Sequence, residues 1–119
     1  MAENQDLKDR SKKFALRVIK LVESLPNTIT ARTIGGQLIR SGTSVPANYR
    51  AACRARSKAE FIAKLGIVEE ECDESGFWIE MLVDAKVVKL ELVADLRDET
   101  SQLTAIWVTS INTARGKTR

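Results

Sequence analysis

The sequence predicts an all-α protein, an antiparallel up-down four-helix bundle forming a single domain over residues 1–119. Three observations carry this. Apolar residues recur at steps of three and four in four separate stretches. Only two Pro and six Gly interrupt the 119 residues, and Ala, Leu, Ile, Glu, Lys and Arg dominate the rest. The stretches are joined by short links, which makes consecutive helices antiparallel neighbours.

The first helix is expected over about residues 6–25. Leu7, Ser11, Phe14, Val18, Leu21 and Leu25 fall on one seam. Leu25-Pro26-Asn27 ends it, because a residue before Pro is pushed out of the helical region. The second is expected over about 30–55, with Ile34, Leu38, Ser41, Val45, Asn48 and Ala52 on one face. Gly35-Gly36 and Ser41-Gly42 weaken it locally. Pro46 allows either one kinked helix or two helices broken near Ser44. The seam keeps its phase across Pro46, which favours one.

The third helix, about 58–86, has the cleanest pattern: Phe61, Leu65, Val68, Cys72, Ser75, Ile79 and Leu82. Ser57-Lys58-Ala59-Glu60 in front of it is a capping-box sequence. Gly66 and Gly76 weaken this helix, or else admit another backbone at close range. The fourth, about 91–114, places Leu92, Leu96, Leu103, Ile106 and Ser110 on a shared face, with Trp107 and Ile111 beside it. The tail Arg115–Arg119 is basic and expected to fray.

Composition excludes several functions. There is no His, so a Ser-His-Asp triad, a His-bearing zinc site and His acid–base chemistry are impossible. No nucleophile–base pair or phosphate loop is visible, so no catalytic residue and no cofactor are assigned. No apolar run is long enough to span a membrane, and the charged N-terminal residues do not form a signal peptide. A cytoplasmic location is expected. Cys53 and Cys72 then read as free thiols.

Net charge is only +3, but it is unevenly distributed. From Arg40 to Lys64 there are six bases and one acid, and from Glu69 to Glu80 there are six acids and no base. The basic set is Arg40, Arg50, Arg54, Arg56, Lys58 and Lys64. Arg50 and Arg54 are one helical turn apart and share a face. As a phosphate-binding patch the set would offer bidentate contacts from its arginines, and six neutralised phosphates predict a salt slope of about −5 in log–log form on duplex DNA. The same residues can instead form salt bridges to Glu70, Glu71, Asp73 or Glu74, and Lys64 can pair with Glu60. Arg40 can join a polar layer of Ser41, Ser44 and Asn48, which hydrogen bonds would hold in register.

Tyr49 is the one aromatic among the bases, so a stacking platform for single strands is disfavoured. Backbone and shape recognition of structured RNA or duplex fits better. The acidic run lacks the Glu-x-x-His pairs of di-metal bundles and reads as a solvated or ion-paired face. One of Trp78 and Trp107 is expected at an interface, since a small bundle has limited room for both.

The stretch from Gln37 through Arg40-Ser41-Gly42-Thr43-Ser44-Val45-Pro46-Ala47-Asn48-Tyr49-Arg50 is more specific than any periodicity. It is followed by Ala55-Arg56-Ser57-Lys58-Ala59-Glu60-Phe61-Ile62, Lys64-Leu65, Glu70–Glu74 and Phe77-Trp78. This order resembles the four-helix-bundle family of proteins encoded in intervening sequences of bacterial 23S rRNA genes, formerly labelled S23 ribosomal protein. The accessory variability determinants of diversity-generating retroelements are similar. Phe77 stands where the family usually has Tyr.

The resemblance implies a ring-like homopentamer, nucleic-acid binding and no enzymatic activity. In the retroelement branch it implies partnership with a reverse transcriptase. Two functions are therefore expected as alternatives. One is non-catalytic binding of nucleic acid by a homo-oligomer. The other is a protein-binding adaptor, such as an accessory subunit of a reverse transcriptase.

Overall fold

The computed structural model describes residues 2–116, with side chains from residue 4 onward. Lys117, Thr118 and Arg119 of the basic tail lie outside the described residues. Four helices follow one another: α1 (Ala2–Glu23), α2 (Ile29–Cys53), α3 (Lys58–Asp84) and α4 (Leu90–Ala114). α1 begins a turn before the first residue of the apolar pattern. Each helix packs on its neighbours in sequence, and α1 meets α4 to close the bundle along its thinnest seam. The result is an elongated body of 45 × 26 × 22 Å.

The core follows the expected seams in three helices. α1 buries Ser11, Phe14, Val18 and Leu21, and α3 buries Leu65, Val68, Cys72, Ser75, Ile79 and Leu82. α2 buries Ile34, Leu38, Ser41, Val45 and Ala52, together with Tyr49. The fourth helix departs from expectation. Val93, Leu96, Thr100, Leu103, Trp107 and Ile111 face inward, while Leu92 is 67% exposed. The core face is turned by one position because Trp107, the largest fully buried side chain, takes the centre. Its ring lies 5.0 Å from that of Tyr49. Trp78 is half-buried, and its indole N–H donates to Glu74 at 3.0 Å.

α2 runs unbroken through Pro46, which deprives the Gly42 carbonyl of its usual donor. Gly42 does more than weaken the helix. A Cβ built on it would lie 2.9 Å from Val18 Cγ1, so α1 and α2 can approach this closely only because position 42 has no side chain. Gly66 has no such role: a Cβ there meets nothing within 4 Å. At the start of α3 the Ser57 side chain accepts from the Glu60 N–H at 3.0 Å. Glu60 reaches back one residue further than a simple capping box, to the Arg56 N–H at 3.2 Å.

The polar layer is split. Ser75 Oγ donates to Ser41 Oγ at 2.9 Å inside the core, joining α3 to α2. Asn48 bonds locally, donating to the Ser44 carbonyl and hydroxyl. Both cysteines are free thiols. Burial pushes the Cys72 thiol up, against a hydrogen bond donated by the Thr104 hydroxyl.

Candidate nucleic-acid interface

The six predicted basic residues do not form one patch. Arg40 lies on the α2–α3 face and is ion-paired with Glu71 at 3.1 Å and with Glu74. Glu74 is held below the usual carboxylate range first by the Trp78 indole N–H and then by Arg40. Arg40 is therefore a clamp between helices. It does not join the Ser41–Ser75 layer, which is buried beside it. Lys64 is half-buried on α3 and forms no ion pair with Glu60, whose carboxylate is engaged by Arg56 N–H. Arg56 and Lys58 are exposed at the turn into α3. Arg50 and Arg54 project from the end of α2, exposed, one turn apart.

The antiparallel packing of α1 on α2 gives Arg50 and Arg54 new companions. Lys8 and Lys12, one turn apart on α1, share with them a groove of about 530 Å³. Thr43, Pro46 and Ala47 line its α2 side. Among the described residues Asp9 is the single acid in the lining, and it accepts a hydrogen bond from Gln5 at 2.9 Å. Among the described residues none of the four groove cations has an ion-pair partner; the pairs formed are Arg10–Glu99, Arg40–Glu71 and Arg40–Glu74. Four cations against one acid form a strip of positive charge about two turns long, suited to successive phosphates.

Lys8 and Lys12 were missed at the level of sequence. Their signal was the one-turn spacing beside Leu7 and Ser11 of the α1 seam. The seam shows which face of α1 points inward, but not which flank meets α2. Tyr49, the one aromatic among the bases, is in the core against Trp107 and offers no stacking surface.

The acidic run divides in the same way. Glu71 and Glu74 hold Arg40, whereas Glu70, Asp73 and Glu80 are exposed. No group of three or more acidic or thiol side chains among the described residues has metal-holding geometry. No helix among them is long and apolar enough to cross a membrane.

The fold is a small four-helix bundle with a cationic groove between α1 and α2. The chain belongs to the 23S rRNA-intervening sequence protein family, whose model matches residues 3–109. It is also similar to a crystal structure from Bacteroides thetaiotaomicron, described as a protein of unknown function from the S23 ribosomal protein family. The two share 30% identity with a TM-score of 0.83, over 92% of this chain and 97% of that one. No match is found among curated proteins.

Proposed function

We propose that the protein is a non-catalytic nucleic-acid-binding protein, acting in the cytoplasm on the phosphate backbone of structured RNA or duplex. The observation that carries this is the α1–α2 groove, where Lys8, Lys12, Arg50 and Arg54 converge with no ion-pair partner among the described residues. Unpaired Arg offers bidentate contacts to phosphate, and Lys adds point charge. Membership of a family named for 23S rRNA intervening sequences supports an RNA-linked setting. We further propose a homo-oligomer, with the ring pentamer implied by resemblance. Exposed Leu16, Ile29, Leu90 and Leu92 supply apolar surface for contacts between copies. Repeating the groove around a closed assembly would multiply individually weak contacts.

The test is fluorescence anisotropy with a structured RNA and a length-matched DNA duplex, between about 50 and 200 mM salt. Four phosphate contacts per subunit predict a duplex slope of about −3.5, shallower than six basic residues would give. The double variant Arg50→Glu/Arg54→Glu should lose most binding, and Lys8→Glu/Lys12→Glu should do the same. Arg40→Ala should leave binding nearly unchanged, because that guanidinium is already committed to Glu71 and Glu74. Absence of binding at the lower salt, or equal loss with Arg40→Ala, would overturn the assignment.

A further inference from the structure

On the opposite hairpin, α3 and α4 enclose a second groove of about 580 Å³. Its α3 wall presents Asp73, Phe77 and Glu80, which recur at steps of four and three and so share one face. Gly76 lies at its base against the buried Thr100, and its α4 wall carries Arg97, Ser101 and Ala105, all exposed. Phe77 is 48% exposed. Its ring meets that of Trp78 edge-on, with centroids 4.9 Å apart, so it is braced on one side and open on the other.

We propose that this groove docks an arginine-bearing segment of a partner protein, with the guanidinium seated over Phe77 and bonded to Asp73. Charge favours this occupant. Residues 58–114 hold twelve acids and five bases, the reverse of residues 1–56 with four acids and eleven bases. The acids facing this groove are also uncommitted. Glu71 and Glu74 are held by Arg40, and Glu99 by Arg10, whereas Asp73 and Glu80 have no ion-pair partner among the described residues.

The neighbourhood of Phe77 selects a guanidinium. Among the described residues Arg97 is the one cation in the lining. The register that sets Gly76 beside Thr100 brings Arg97 level with Glu80. Asp73 is the lining carboxylate one turn from Phe77 on the side away from Arg97, and Glu70, exposed one turn further on, extends the negative end. A planar guanidinium satisfies both neighbours at once, stacking on the ring and bonding the carboxylate. An ammonium does this less well, and a phosphate would be repelled.

Gly76 leaves room for a peptide backbone. A Cβ there would lie 3.4 Å from Thr100 Cγ2, an ordinary contact, so packing inside the chain does not require glycine. Glycine in mid-helix nonetheless weakens α3. Its absent side chain leaves the groove floor open to an approaching backbone.

The groove lies on different helices from the nucleic-acid interface, and its test does not depend on that reading. A labelled peptide of alternating arginine and serine is titrated by anisotropy, with matched lysine and glutamate peptides alongside. The arginine peptide should bind more tightly than the lysine peptide, and the glutamate peptide not at all. Phe77→Leu keeps an apolar group against Trp78 but removes the π face, and should weaken arginine-peptide binding roughly two- to fivefold. Asp73→Asn should weaken it by a similar factor. Arg50→Glu/Arg54→Glu should not weaken it. Amide shifts in an NMR titration should centre on Gly76, Phe77, Ser101 and Ala105.

Three results would overturn the proposal. One is equal binding of arginine and lysine peptides, unaffected by Phe77→Leu, which would mean general attraction to the acidic hairpin. Another is no binding at low salt. The third is perturbation of the same amides by raising protein concentration alone, which would mean that a second copy fills the groove.

Discussion

Val18 and Gly42 show how one missing side chain sets the distance between two helices. Val18 is fully buried and branched at Cβ, so it cannot swing away from a methyl group placed 2.9 Å from its Cγ1. Gly42→Ala should therefore destabilise the fold by about 1–3 kcal/mol, even though alanine is the better helix former. Gly66→Ala meets nothing within 4 Å and should stabilise it by about 0.5–1 kcal/mol. Urea titration of the two variants reads both signs in one experiment. If both stabilised the fold, Gly42 would be no more than a weak helix position, as the sequence suggested. Periodicity cannot distinguish the two glycines, because the difference lies in what the neighbouring helix places opposite each. The same limit explains Leu92. Leu92 and Val93 both fit an apolar stripe with Leu96 and Leu103, and the buried Trp107 puts Val93 inside.

Single helices were the most legible level. The pattern around Ser57-Lys58-Ala59-Glu60 located the start of α3, and both side chains cap it. Ser57→Ala leaves the Glu60 N–H without its acceptor and should lower stability by about 1 kcal/mol, read as a lower midpoint in urea with an unchanged slope. A changed slope would mean that the cap governs more than the first turn of α3. Continuity of α2 through Pro46 was legible from the seam phase alone. The basic residues were legible as a run along the chain, but not as a site. Arg40 and Arg50 are ten residues apart on α2, about 15 Å along the axis. They also face different neighbours: Arg40 meets α3, and Arg50 meets α1. The companions of Arg50, Lys8 and Lys12, come from a helix far away in sequence. Only the packing order of the helices brings them together.

At the scale of the whole molecule, the bundle is two hairpins of opposite charge. The α1–α2 hairpin is basic and the α3–α4 hairpin acidic, and the ion pairs among the described residues all run from an arginine of the first to a glutamate of the second. One clamp is Arg40 on Glu71 and Glu74. The other closes the thin α1–α4 seam: Arg10 donates to both Glu99 carboxylate oxygens at 2.8 Å and to Gln102 at 3.0 Å. The Glu99 side chain is 17% exposed and that of Arg10 37%, so solvent screens the pair only partly. Surface pairs contribute about 0.2–1 kcal/mol, and this bidentate one belongs near the upper end, about 1 kcal/mol. The hydrogen bonds from Arg10 hold the Glu99 carboxyl below its ordinary range. A depressed folded-state pKa means that the contribution is complete above the unfolded value of about 4.3 and is lost as pH falls through the folded value. Arg10→Ala should therefore destabilise the protein at pH 7 and differ little from the parent once Glu99 is protonated in both. Urea unfolding of parent and variant at neutral and strongly acidic pH tests this. A difference that persists in acid would assign the role of Arg10 to packing of its aliphatic stem across the α1–α4 seam.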